Sequence, residues 1–303
     1  MNNSLVSVVM CTYNGSRFVA EQIESICHQT YTNLQIIIVD DASTDDTYEI
    51  VKQYAEKDER IAACRNDVNM GFNLNFNKAC SLATGDFIAI ADQDDIWEPS
   101  KTEKLLAKMN EDKGTLLVHC ISARFKTFGE FSLKSHKLVN YLAGEDVRSF
   151  FIFNYISGHN ILIRRSLWEK AFPFPESVYY DWWLAAVASC NGKIETVPQI
   201  LVWHRMHDTN ATGAAKPKLC LYKQVTTILP QLITIKEMSP AEKEFGMQLL
   251  KYYSVFPGKR FSFPLFLFLF KHARIIFAHK KRSFPWFSYL KHSWRGARAS
   301  TLA

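Results

Sequence analysis

Apolar positions in the first third of the chain follow two alternating periods. Short β-branched runs at residues 5–10 and 34–39 end in polar turns, as strands covered on both faces do. Between them Phe18, Val19, Ile23, Ile26 and Cys27 recur at helical spacing, and Ile50, Val51, Tyr54 and Ala55 repeat the pattern within residues 47–57. A third strand is predicted at 61–64, a third helix at 73–83 and a fourth strand at 86–91. Pro99 then opens another helix, since proline suits a first turn. Such alternation predicts an α/β fold with a mostly parallel central sheet flanked by helices, with ligands gathered at the carboxyl ends of the strands.

Past residue 109 the pattern loosens. Residues 116–121 and 160–163 read as strands, and residues 146–153 and 179–189 as helices. Beyond about residue 213, helical segments lead into a basic, aromatic end. The expected organisation is an α/β domain over residues 1–215 and a helical region over residues 216–303.

Composition narrows the classes. With 48% hydrophobic and 22% charged residues, the 303-residue chain has the make-up of a packed globular protein, not a disordered or fibrous one. Its seven cysteines include no Cys-x-x-Cys pair, so neither a disulfide scaffold nor a zinc ribbon is indicated; Cys11, Cys27, Cys64, Cys80 and Cys120 lie in apolar runs and read as core. The net charge of +6 is uneven: from Phe245 onward there are eleven Lys or Arg and no acid. A basic end on an acidic body points to an anionic partner, either nucleic acid or phospholipid. The opening Met-Asn-Asn-Ser lacks the basic region of a secretory signal. The longest apolar stretch, residues 261–270, is about half the roughly 20 residues of a spanning helix. The expectation is a cytoplasmic protein that lies on a membrane without crossing it.

Polar residues collect where the strands end. The first runs into Thr12-Tyr13-Asn14-Gly15, the second into Asp40-Asp41-Ala42-Ser43, and the fourth into Asp92-Gln93-Asp94-Asp95. Helix capping would account for one carboxylate but not for three in four residues after an apolar strand. Clustered carboxylates are costly unless a cation offsets them, and an all-oxygen group of Asp92, Asp94 and Asp95 suits Mn2+ or Mg2+ with a diphosphate completing its shell. Neither Gly-x-Gly-x-x-Gly nor a Gly-Lys-Ser/Thr phosphate loop follows strand one, which disfavours dehydrogenases and P-loop NTPases.

Three segments in order, residues 8–15, 39–47 and 85–97, resemble the signature of family 2 glycosyltransferases, in the subgroup that carries Asp-Gln-Asp-Asp-Ile-Trp. The likeness covers about residues 4 to 213 and implies a GT-A fold, a nucleotide-sugar donor, a divalent cation on an Asp-x-Asp motif and inversion at the anomeric carbon. It implies that Thr12, Tyr13, Asn14, Asp40, Asp41 and Asp92 meet the nucleoside, that Asp92 and Asp94 or Asp95 meet the metal, and that Lys78 approaches a phosphate. Ala42 stands where the family more often has glycine, so an ordinary backbone conformation is expected there. Sugar transfer also needs a carboxylate to take the acceptor proton. Asp181, in Tyr179-Tyr180-Asp181-Trp182-Trp183, matches that position. His204-Arg205-Met206-His207 with Asn210 and Gly213 resembles a further family stretch, which makes His207 a metal ligand and Arg205 a diphosphate contact. Gly158, His159 and Trp182 are expected near the diphosphate or acceptor.

The basic end carries fifteen aromatics beside its eleven bases. Such interleaving suits single-stranded nucleic acid or an interfacial helix on anionic lipid; the alternative is an aromatic core covered by long bases. The resemblance favours lipid over nucleic acid. It implies transfer of a hexose from a UDP- or dTDP-sugar to a lipid-linked saccharide at the inner membrane face, as in O-antigen, capsule or lipopolysaccharide assembly. The competing readings are a nucleotidyltransferase acting on sugar phosphates and a non-catalytic lipid- or RNA-binding protein.

Overall fold

The computed structural model describes residues 4–126, 131–132, 144–208, 221–255, 261–279 and 284–298. The position of the domain boundary near 215, and Asn210, Gly213, Lys280, Lys281 and Arg282, lie outside the described residues. Among the described residues one sheet holds β1 (Val6–Thr12), β2 (Leu34–Asp40), β3 (Ile61–Arg65), β4 (Phe87–Ala91), β5 (Ile96–Trp97), β6 (Thr115–Phe125), β7 (Phe131–Ser132), β8 (Ile161–Arg164) and β9 (Lys193–Arg205). The helices are α1 (Val19–Cys27), α2 (Thr47–Lys57), α3 (Phe72–Ser81), α4 (Lys101–Asn110), α5 (Arg165–Ala171), α6 (Tyr180–Asn191), α7 (Leu221–Leu232), α8 (Pro240–Ser254), α9 (Phe263–Lys271), α10 (Ala273–Ile276) and α11 (Pro285–Gly296).

The strand order is β3-β2-β1-β4-β8-β6-β9-β5, with β7 paired to β6. The first four strands are parallel, as helical crossovers require. The expectation of a mostly parallel sheet is corrected beyond β4: β8 runs antiparallel to both β4 and β6, and β5 antiparallel to β9. The reason is where the chain re-enters. It returns to the sheet at a 3-10 turn, Gly158–Asn160, and runs down β8 from there. That entry puts the turn on the same edge as the carboxyl ends of β1, β2 and β4.

Two elements depart from the periodicity. The helix expected at residues 146–153 is only a 3-10 turn, Val147–Phe150, capped at its start by the Asp146 side chain accepting from Arg148 N and followed by buried Phe151 and Ile152. Strand β9 was not anticipated, because Pro198 and scattered polar residues break its alternation. It pairs parallel with β6 through register shifts and delivers Arg205 to the ligand edge.

Alternation in the central strands divides the core. Val6, Val8, Met10, Ile36 and Ile38 face α1, α2 and α4, with Ile23, Val51 and Leu105 buried against them. Val9, Ile37, Val39, Ile88 and Ile90 face α3 and α6, and that cluster continues through Leu229, Leu249, Tyr253, Leu269 and Ile276 of the C-terminal helices. At about 1.5–3 kcal/mol for each large apolar side chain buried, the continuous cluster holds the late helices to the sheet. Some tail aromatics therefore do form core, Phe245, Phe268 and Phe277 among them.

Ala42 adopts φ +60°, so the ordinary conformation expected there is corrected. The turn is over-determined by Asp40, which accepts from Ser43 N and Ser43 Oγ. Left-handed backbone costs a non-glycine residue roughly 1–2 kcal/mol, against roughly 0.4–1 kcal/mol of extra unfolded-state freedom for glycine. Ala42→Gly is expected to raise stability by about 0.5–1 kcal/mol, measured as an upward shift in the urea midpoint at constant slope.

Candidate active site

Two buried carboxylates organise the β1 and β2 ends. Asp40 is fully buried, accepts from Thr12 Oγ1 (2.9 Å), Ser43 N (2.9 Å) and Ser43 Oγ (2.5 Å), and faces Arg65 at 3.6 Å. A carboxylate has about four acceptor directions. Asp40 and Thr12 are therefore occupied in holding the two strand ends together, which corrects their expected nucleoside contact. Asp41 accepts from Asn66 Nδ2 (2.7 Å), Met70 N (2.9 Å) and Gly71 N (2.9 Å) and keeps one direction open. Lys78 donates to Asn66 Oδ1 at 2.7 Å, the same side chain that donates to Asp41.

The exposed ring at this edge is Tyr13. Its backbone N–H and C=O are both bonded to the Gln93 side chain (2.9 and 3.1 Å), and a Cβ on Gly15 would meet Gln93 Oε1 at 2.2 Å. Asn14, at φ +48°, receives Thr44 N on its side-chain oxygen at 2.9 Å. Gln93 thus fastens the β1 turn to the β4 turn. The motif's middle residue is a structural tie.

The three carboxylates after β4 divide by depth. Asp95 is fully buried, accepts from Arg205 N (3.2 Å) and lies 3.0 Å from His204 Nδ1 and 3.5 Å from His159 Nδ1. The two imidazoles stack with centroids 4.9 Å apart. Asp94 lies nearer the surface, its side chain 13% exposed, and meets His207 Nε2 at 2.7 Å. Burial, and then the charges of Asp95 and Asp92, push the Asp94 carboxyl above its ordinary value. Asp92 lies 3.0 Å from His159 Nδ1. Burial acts to raise its carboxyl as well, but His159 outweighs it and holds the group below the ordinary carboxylate range.

These placements revise several expectations. Arg205 is buried, with its guanidinium between the Phe18 and Phe125 rings, donating to Asp94 O (3.0 Å) and Glu21 Oε2 (2.7 Å). Its guanidinium thus meets Glu21 and holds the Asp94 backbone. Trp182 is core and donates to Phe150 O at 2.6 Å, so it does not line an acceptor site. His159 is buried between Asp92, Asp95 and Ser122, where no acceptor reaches it.

Asp181 opens α6 on the same edge. Its carboxylate accepts from Trp182 N (2.7 Å) and from Gly158 N (3.2 Å). Desolvation pushes it up to about 6, with the Asp92 charge adding to the effect. Gly158 has no room for a side chain, because a Cβ would meet Tyr180 Oη at 2.0 Å. The turn of Gly158–Asn160 therefore grips Asp181 with one residue and Asp92 with the next.

One buried cation went unnoticed in the sequence. Lys101 is fully buried, donates to His159 O at 2.7 Å and lies 3.2 Å over the Trp97 ring. Burial pushes its ammonium down to about 7. The available signal was a lysine four residues before Leu105, on the apolar stripe of α4.

A divalent ion can be tested against these groups. Asp95, His159 and His204 bring their ligand atoms within 4.8 Å of one another; Asp95 and His159 are buried and His204 half-buried, and Asp95 Oδ2 has no hydrogen-bond partner. Asp94 and His207 converge nearer the surface, their side chains 13% and 14% exposed. A carboxylate with one imidazole fits manganese better than magnesium.

Residues 7–172 match the model of glycosyl transferase family 2. The chain is 30% identical over 239 residues to an uncharacterized glycosyltransferase of Methanocaldococcus jannaschii, covering 75% of this chain and 80% of that one. It is 31% identical over 205 residues to the Escherichia coli UDP-Glc:alpha-D-GlcNAc-diphosphoundecaprenol beta-1,3-glucosyltransferase WfaP, covering 67% and 78% respectively. The fold resembles residues 1–349 of S. aureus TarS in complex with UDP-GlcNAc, with a TM-score of 0.63 and 17% identity over 98% of this chain and 82% of that one.

Depth separates the roles of Asp95 and Asp94. Asp95→Ala removes the partner of buried His159 and half-buried His204 and is expected to lower stability by roughly 3–5 kcal/mol. Asp94→Ala, at the accessible side, is expected to stay within about 1 kcal/mol of the parent. Urea titrations of the two variants check this, and equal losses would contradict it.

Proposed function

The chain belongs to glycosyl transferase family 2, and from that premise we propose that it transfers one hexose-type sugar, with inversion, from a UDP- or dTDP-sugar to a hydroxyl of a lipid-linked saccharide. The observation that carries this reading is the turn of Gly158–Asn160, which ties a raised carboxylate, Asp181, to the acidic strand end through Asp92. A base and a donor-side carboxylate held by adjacent residues suit a single displacement. The UDP-GlcNAc bound by the TarS neighbour supports a uridine nucleotide donor. The name of the E. coli relative supports a diphospholipid-linked acceptor and a role in surface-glycan assembly.

In this mechanism Asp181 accepts the proton of the acceptor hydroxyl as its oxygen bonds to the anomeric carbon and the bond from that carbon to the diphosphate breaks. Tyr13, Asn14 and Asp41 hold the nucleoside, and Asp92 orients the donor. Asp94 and His207 would hold the divalent ion, which would stabilise the departing diphosphate's charge. Arg205 and Lys101 keep the surrounding backbone fixed, so that little reorganisation accompanies the reaction.

The C-terminal region, residues 216–303, is the membrane-associating part in this reading. Helix α11 turns Ser288, Ser293 and Gly296 inward and leaves Trp286 and Phe287 71% and 75% exposed, the reverse of an ordinary surface helix. Phe270 meets Trp286 and Phe266 meets Trp294, joining α9 to the same face, with Lys291, Arg295 and Arg298 exposed nearby. Exposed rings beside bases suit the headgroup layer of an anionic bilayer on the cytoplasmic side. No helix among the described residues is long and apolar enough to cross a membrane.

Three outcomes follow. Asp181→Asn is expected to lower transfer by about 10²–10⁴-fold while UDP binding in calorimetry persists; unchanged turnover would remove the base. A base must be ionised to act, so kcat/KM should rise with pH through about 6 and then level. Substituting Trp286 and Phe287 together by serine is expected to abolish flotation with phosphatidylglycerol vesicles; equal flotation would refute the membrane face.

A further inference from the structure

Beside the base lies a second exposed aromatic feature that the mechanism leaves unused. Phe72 and Tyr179 are 48% and 46% exposed, yet their rings stack with centroids 5.5 Å apart and planes 18° from parallel. Phe72 opens α3 and Tyr179 is the residue before α6, so the pair joins two elements distant in sequence. A stack of this kind contributes about 0.5–1.5 kcal/mol, less than burying either ring would provide. Two large rings kept together at the surface present an unpartnered apolar face.

The support under this pair is rigid. Asn73, buried next to Phe72, donates to Pro175 O (3.0 Å) and Val178 O (2.7 Å) and accepts from Tyr180 N (3.1 Å). One side chain thus clamps the start of α3 to both sides of Tyr179. On its other flank the same loop is held by Asp41, which accepts from Met70 N and Gly71 N. The platform is therefore fixed relative to the nucleoside edge as well as to α6.

We propose that Phe72 and Tyr179 form the acceptor subsite, stacking against the apolar C–H face of a pyranose ring in the acceptor saccharide. The proposal rests on the glycosyltransferase reading above. Tyr179 is two residues from Asp181, a span of at most about 7 Å. The attacking hydroxyl must lie within hydrogen-bond reach of that carboxylate, so the ring that carries it falls beside Tyr179. The donor's diphosphate and nucleoside are assigned to Asp94, Asp92 and Asp41, and because Asp41 bonds Gly71 N beside Phe72, the UDP arm of the test below separates the two roles. A pyranose offers one apolar face and a rim of hydroxyls, and the platform offers an apolar surface next to a carboxylate. The stack would orient the acceptor ring without selecting its linkage position.

Saturation-transfer NMR on the full chain, with UDP and manganese present, tests this. The probes are the methyl glycosides of glucose, galactose and N-acetylglucosamine. At least one glycoside should show saturation on its ring C–H protons, and the double variant Phe72→Ala/Tyr179→Ala should reduce that signal about tenfold, as loss of two ring contacts implies. Tyr179→Phe should retain it, because stacking needs the ring and not the hydroxyl. UDP signals should be unchanged in every variant. Glycoside signals that survive the double substitution, or their absence for all three probes while UDP still binds, would overturn the subsite alone. Loss of UDP signals in the folded double variant would reassign the rings to the nucleoside. Failure of the parent protein to bind UDP would instead overturn the underlying donor assignment.

Discussion

Three carboxylates within four residues, at the end of a strand as apolar as Phe87–Ala91, repel one another and resist desolvation. Opposing that charge is the constraint on which the rest of the ligand edge is built. The protein meets it from three directions: His159 from the turn before β8, His204 and His207 from β9 and the segment after it, and Lys101 from α4 beneath. Each must arrive at the carboxyl edge of the sheet. The antiparallel entry of β8 and the long parallel run of β9 bring them there. The mixed half of the sheet is thus the means by which an acidic strand end is stabilised.

Most of the polar residues that make the sequence recognisable serve this scaffold. Asp40 and Thr12 close the β1–β2 gap, Gln93 fastens one turn to the next, and Arg205 carries the backbone of Asp94 between two phenyl rings. Fewer groups reach the surface of this edge: Tyr13 is exposed, and Asp92, Asp94, His207 and Asp181 are partly accessible. A site of this kind holds few moving parts, and its outward groups inherit their positions from buried ones. The pushed-up carboxyl of Asp181 has the same origin, since its apolar surroundings are the first turn of a helix that is otherwise entirely core.

The C-terminal helices share the core of the sheet, so they behave as a buttress as well as a surface. The aromatics divide accordingly. Phe245, Phe268 and Phe277 complete the cluster, whereas Trp286, Phe287 and Trp294 remain outside it. Neither an aromatic core nor a wholly exposed belt describes this region, because α9 and α11 carry large apolar residues on exposed as well as buried positions.

The first four strands, their crossover helices and the acidic edge were legible in the chain itself, since period-2 and period-3.6 patterns report which side of an element meets the core. Asp181 stands out by its likeness to the family's acidic position at the start of an apolar helix, and the structure does place it at the start of that helix. What the pattern could not convey was depth and partnership. Asp94 and Asp95 are neighbours of one type, and only the arrival of β9 makes one accessible and the other enclosed. The burial of Arg205 and Lys101 depends on Phe18, Phe125 and Trp97 packing over them from distant elements. Strand β9 escaped notice because its alternation is broken by Pro198, and the Phe72–Tyr179 stack joins residues more than a hundred positions apart. Local periodicity determines which face of an element is buried; which distant charge or ring meets it is decided by the order in which the strands assemble.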